Sequence, residues 1–395
     1  MNRAQTILLV LILLLIPSLL CAQGRKQSDG QVSKQSYKQN RKQTNKHAGG
    51  QTAPLYKVGL SYRTFTVEGS YNWREAKTHG LTSVIWHPTD AAAAEQPQWI
   101  GPPDGPLLSA GKAMKDTALV SSPAKFPLIL LSHGTGGSAL NMAWLGTTLA
   151  AHGYIAVAVN HPGNNGNDGY TPQGFSIWWE RARDLSVAID KMLVDSTFGA
   201  RIDSKRVGAA GFSLGGYTMI EIAGGITDPA NFFAFCETPN ADGICKSPPE
   251  FPDLLERFDQ LAKNDAAFQE ALHHASDSYR DARVRAVFAM APALGPAFPA
   301  EPLGKISIPV GIVAGAADES FPVASSAKYF AAHIPGAKLT IFAGAVGHYV
   351  FLPSCTEQGR KTLTLLCTDG PGVGREAIHS KTRDLALSFF AVNLK

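Results

Sequence analysis

From Leu55 onward, apolar and polar positions fall in blocks whose period switches between strand and helix. Tyr56 to Val67 and Leu81 to His87 are rich in β-branched and aromatic residues and predict two opening strands. Between His87 and Pro127, Pro, Ala and Gly dominate, which predicts a long loop. Phe126 to Ser132 is then continuously apolar, the pattern of a strand buried on both faces of a parallel sheet. A helix is expected from Ser138 to His152, a strand from Ile155 to Val159, and a helix over 176–195 with Arg181, Arg183 and Asp184 on its polar side. Strand Arg206 to Phe212 and helix 214–225 come next, then strands at Val284–Met290, Val310–Ala314 and Lys338–Phe342 and a closing helix near Glu376–Asn393. Strands alternating with helices at this spacing predict an α/β fold, a doubly wound and mostly parallel sheet with helices on both faces.

Residues 226–283 break this rhythm. They are about twice the usual length of a helix connection and hold Cys236, Cys245 and a polar helix near 253–275. In a doubly wound sheet such an excursion sits over the carboxyl ends of the strands, where ligands bind. It is expected to cover the active site, as a lid, a pocket wall or a flap that never touches substrate.

The first 22 residues have the pattern of an export signal. Arg3 supplies the positive start, Ile7 to Leu20 is an apolar run, and Leu20-Cys21-Ala22 resembles a cleavage site before Gln23. The run is 14 residues, short of the ~20 that span a bilayer. A bacterial lipid anchor at Cys21 needs a small residue before it, and Leu20 is not small, so cleavage and export is the expected reading, with an uncleaved anchor or a lipid anchor as its alternative. Residues 23–54 hold Gln, Lys, Ser, Asn and Gly with almost nothing apolar, so they predict a disordered basic linker. Residues 55–395 form the expected catalytic domain. The formal charge of +4 resolves into +6 on residues 23–54, one more from Arg3, and −3 on the remainder. A slightly acidic domain argues against a nucleic-acid partner. The linker can supply weak attachment to an anionic surface; a solvated tether without a partner is the simpler reading.

Four cysteines remain after the signal: Cys236, Cys245, Cys355 and Cys367. An even count in an exported chain predicts disulfides, with Cys236–Cys245 and Cys355–Cys367 the simplest of three pairings. Neither pair has zinc-site spacing and no histidine cluster accompanies them, so no metal is expected.

The chemistry concentrates at strand ends. Gly211-Phe-Ser213-Leu-Gly215-Gly216 lies between a predicted strand and a predicted helix, where a nucleophile elbow requires small residues two before and two after the serine. A serine needs a base, and the base an orienting acid. Asp318 follows the strand ending at Ala314, and His348 follows the strand ending at Phe342, in the order this fold uses. Glu319 is the rival acid. Ser132-His133-Gly134-Thr135-Gly136-Gly137 follows the buried third strand, so the amides of Thr135 and Leu214 are the expected oxyanion donors. His133 is expected to pack beneath that loop rather than act as a base, His161 to be an exposed loop residue rather than line the pocket, and Trp178 and Trp179 to fill the core rather than pack against an acyl chain. The loop's glycines mimic a phosphate-binding loop, but no Gly-Lys-Ser/Thr follows.

These motifs, with Val-Gly-Leu-Ser-Tyr-Arg at 58–63, Ile85-Trp86-His87-Pro88, Leu149-Ala-Ala-His-Gly-Tyr154 and Gly347-His348-Tyr-Val-Phe351, resemble the predicted dienelactone hydrolase group of the α/β-hydrolases. That group is similar to plasma platelet-activating-factor acetylhydrolases and to bacterial polyester hydrolases. The resemblance covers about residues 56–395. It implies a Ser-Asp-His esterase without a cofactor and supports Thr135 and Leu214 as oxyanion donors. True dienelactone hydrolases use a cysteine nucleophile, and this chain has Ser213, so the group's name does not name its substrate.

The combined expectation is a monomeric bacterial enzyme, secreted or periplasmic, that cleaves a small-molecule, lipid or polymer ester. An amidase or peptidase would use the same triad, but peptidases of this fold often carry a large accessory domain for which this chain has no room. A non-catalytic binding module usually lacks a triad member, and all three positions are filled here.

Overall fold

The computed structural model describes residues 56–395; the expected export signal and basic linker lie outside the described residues. Ten strands form one sheet: β1 (Lys57–Thr66), β2 (Gly80–Thr89), β3 (Gln96–Ile100), β4 (Leu108–Lys115), β5 (Phe126–Ser132), β6 (Ile155–Val159), β7 (Ile202–Phe212), β8 (Val284–Met290), β9 (Val310–Gly315) and β10 (Lys338–Phe342). Their spatial order is β10-β9-β8-β7-β5-β6-β2-β1-β4-β3. The six strands from β10 to β6 run parallel. β2 is antiparallel to both β6 and β1.

Strand β5 shows why a continuous apolar run is needed at the centre. Leu128 and Leu130 enter one core, while Ile129 and Leu131 enter the other. Successive side chains point to opposite faces, so burying both faces leaves no polar position. Helices α1 (Ala143–Ala151), α2 (Glu180–Val194), α3 (Leu214–Ala223) and, at the chain end, Arg375–Asn393 cover these faces.

Three expectations are corrected. The stretch between His87 and Pro127 is not one loop; it contains β3 and β4. These strands read Gln-Pro-Gln-Trp-Ile and Leu-Ser-Ala-Gly-Lys-Ala-Met-Lys, so small and polar residues disguise them, and β3 is an edge strand where Pro97 is tolerated. The helix expected over 176–195 begins only at Glu180, after a short helix, Pro172–Ser176. Finally, Arg181 and Asp184 do not face solvent, with exposures of 1% and 0%.

The insertion folds as α4 (Pro229–Cys236), α5 (Leu254–Asn264) and α6 (Ala266–His273). Asp265 breaks the polar stretch between the last two, its carboxylate accepting from the Phe268 amide at 3.0 Å. Disulfides join Cys236 to Cys245 and Cys355 to Cys367.

Candidate active site

Ser213 stands between β7 and α3 with φ 58° and ψ −118°, a left-handed conformation that a residue with a Cβ rarely adopts. The surroundings enforce it. The Ser213 amide donates to the Met290 carbonyl at the end of β8 (2.9 Å), and the Ser213 carbonyl accepts from Tyr217 (3.0 Å) and Ala293 (3.1 Å). A Cβ on Gly211 would lie 2.2 Å from the Gly215 carbonyl oxygen, so the turn closes only with glycine there.

The Ser213 hydroxyl lies 2.9 Å from His348 Nε2, and His348 Nδ1 lies 2.7 Å from Asp318 Oδ2. Nδ1–H donates to the carboxylate, which leaves the Nε2 lone pair to accept from the serine. The other carboxylate oxygen accepts from the Phe321 amide at 2.8 Å, locking the acid's rotamer. Rings of Phe212 and Phe321 flank the imidazole at 4.9 and 5.0 Å. Ser213, Asp318 and His348 are each about 5% exposed or less. Glu319 lines the neighbouring cavity and makes no bond to His348.

Ser213 and His348 open onto a cavity of about 770 Å³. Thr135 and Leu214 line it beside the serine, and among the described residues neither amide is committed to another acceptor. Its walls come from the sheet edge (Ile100), the Phe175–Trp178 segment and the insertion (Phe232, Ile244, Leu254, Leu255). The insertion is therefore a pocket wall.

Two residues were assigned differently by the sequence. His161 is not an exposed loop residue: it is fully buried, with Nδ1 2.7 Å from Asp184 Oδ2 and Nε2 2.9 Å from Ser132 Oγ. Burial, with help from Arg181, lowers its pKa to about 3, so it is neutral. Trp178 is only partly core; it lines the cavity, whereas Trp179 is buried. His133 packs under its loop, Nδ1 donating to the Gly134 carbonyl at 2.7 Å. Sequence reasoning missed Glu250, a cavity-lining carboxyl that burial pushes up in pKa. Its only sequence signal is membership of the insertion.

Residues 128–358 match the model of the alpha/beta hydrolase family. The chain belongs to that family. Ferulic acid esterase from Streptomyces cinnamoneus shares the fold, with a TM-score of 0.57 and 17% identity over 86% of this chain and 90% of that one. Among curated family relatives, cutinase est1 of Thermobifida alba is 34% identical over 97 residues, which is 24% of this chain and 29% of that protein. Lipase 1 of Moraxella sp. (strain TA144) is 34% identical over 83 residues, 21% of this chain and 23% of the lipase. The chain thus matches less than a third of these relatives' length.

Proposed function

We propose that this family member is an exported serine hydrolase of carboxylic esters, acting through an acyl-enzyme. The observation that carries the reading is the chain of contacts Ser213–His348–Asp318 at 2.9 and 2.7 Å, opening onto a largely apolar cavity. Ser213 Oγ attacks the acyl carbon as its proton passes to His348 Nε2. Asp318 holds the imidazole in the useful tautomer and stabilises the imidazolium. The amides of Thr135 and Leu214 receive the developing oxyanion. The C–O bond to the alcohol then breaks, and His348 returns the proton to the leaving oxygen. Water, activated by the same histidine, frees the acid and restores Ser213.

Cutinase, lipase and ferulic acid esterase relatives support esters as the substrate class. The two disulfides and the apolar leader in the sequence support export to an oxidising compartment. The test is hydrolysis of p-nitrophenyl esters from acetate to decanoate by the wild type and Ser213→Ala. The wild type is expected to turn them over and the variant to lose on the order of 10⁶ in kcat. A folded wild type inert on every ester would overturn the reading.

A further inference from the structure

We infer that Arg181 is the positioning residue of the oxyanion hole, clamping from beneath the two segments that carry the Thr135 and Leu214 amides. The inference rests on the esterase reading above. Arg181 lies at the start of α2, 1% exposed, yet among the described residues it touches no carboxylate. The nearby Asp184 carboxylate is already engaged by Arg74 (2.7 and 2.9 Å), by His161 (2.7 Å) and by the Tyr71 hydroxyl. Burying a guanidinium without a direct counter-ion is costly, so its four neutral acceptors must account for its retention.

Those acceptors span the site. Nη2 donates to the His133 carbonyl and, at 3.4 Å, to Ser132 Oγ. Nη1 donates to Asn164 Oδ1 (3.2 Å), the same oxygen that receives the Gly136 amide (3.0 Å). Thr135 is therefore held on both sides, through His133 and through Gly136. Nε donates to Thr218 Oγ1 (3.3 Å), whose hydroxyl donates to the Leu214 carbonyl (2.9 Å). One planar fork thus connects both oxyanion segments, a geometry that a lysine ammonium cannot reproduce.

Ser132, His161 and Asp184 form a second serine–histidine–aspartate chain, at 2.9 and 2.7 Å. No substrate reaches it, because Ser132 is fully buried. With His161 Nδ1–H committed to Asp184, the Ser132 hydroxyl donates to Nε2 and turns its lone pairs toward Arg181. This chain orients the clamp and performs no chemistry.

The test compares an oxoester with its thionoester, in which sulfur replaces the carbonyl oxygen and binds poorly to amide donors. In Arg181→Met, kcat on p-nitrophenyl butyrate is expected to fall about 10²-fold with KM within about twofold. The thionoester rate is expected to fall far less, so the oxo/thiono ratio drops roughly tenfold or more. Arg181→Lys should recover only part of the ratio. If Arg181→Met does not fold, Thr218→Val, which cuts only the link to Leu214, should shift the ratio in the same direction by a smaller factor. Oxo and thiono rates falling in parallel in the folded variants would overturn the positioning role. Failure of the esterase reading is separate: the wild type would then be inactive, or Ser213→Ala unimpaired.

Discussion

Gly215 and Ser132 meet backbone to backbone: a Cβ on Gly215 would lie 2.0 Å from the Ser132 carbonyl oxygen. The N-terminus of α3 is thereby pressed against the end of β5, the strand that leads into the Thr135 loop. Gly215→Ala must separate the two, and neither backbone is free to yield. The expected loss is at least ~3 kcal/mol of stability, read from urea unfolding, together with loss of esterase activity in any folded fraction. A variant of unchanged stability and activity would show that this contact is not needed.

Asp318 and Glu319 are adjacent in sequence but unequal in space. Only Asp318 reaches His348, so Asp318→Asn should lower kcat by about 10⁴ with the fold intact. Glu319→Gln should stay within about threefold. Ester hydrolysis by the two variants in parallel decides between them, and the reverse ranking would move the acid's role to Glu319.

Stability should fall on both sides of a middle pH. His161 is held neutral, its pKa lowered to about 3, mainly by burial. The unfolded chain takes up that proton from about 6.5 downward, so stability is lost as pH falls from 6.5 toward 3, by up to ~1.4 kcal/mol per unit. His133, lowered well below its usual value chiefly by burial, adds in the same direction. Glu221 acts oppositely: burial raises its pKa to about 8, so the folded chain keeps a proton that the unfolded chain releases above 4.5. That contribution is lost as pH rises from 4.5 toward 8. Glu221→Gln should therefore gain more than ~1 kcal/mol over wild type at pH 8 and little at pH 5, measured by urea unfolding. An equal change at both pH values would mean that Glu221 is ionised in the fold.

The Cys236–Cys245 disulfide ends beside Ile244, a buried residue of the cavity wall. Replacing both cysteines by serine should cost ~2–3 kcal/mol and raise KM for long acyl esters more than for acetate. Chain-length profiles with and without the bridge provide the check. Identical profiles would mean that the bridge staples the insertion without shaping the pocket.

Much of this protein is legible without coordinates. The apolar runs at β5, β6 and β9 specify a parallel sheet because burial on two faces leaves no polar position, and period alone reveals that. The Gly211–Gly215 spacing marks the elbow because backbone crowding there admits nothing larger than glycine. Asp318 and His348 are visible because each follows a strand end, and parallel strands bring those ends to one edge. The edge strand β3 and its neighbour β4 stay hidden because Ala, Ser, Gly and Pro carry no strand signature, and their pairing is decided by the free edge of β1. His161, Arg181 and Asp184 also escape local reasoning. Polar residues on a helix face or in a loop ordinarily meet water; here Arg74 and Tyr71, more than 100 residues upstream of Asp184, supply the partners that allow burial. Sequence patterning therefore determined the sheet, the glycine-flanked turn at Ser213 and the chain order of the proposed triad, which depend on local sterics and on which faces are buried. Tertiary structure alone decided which charges go inside and what they hold, because a charge is buried only where distant segments converge to replace its water.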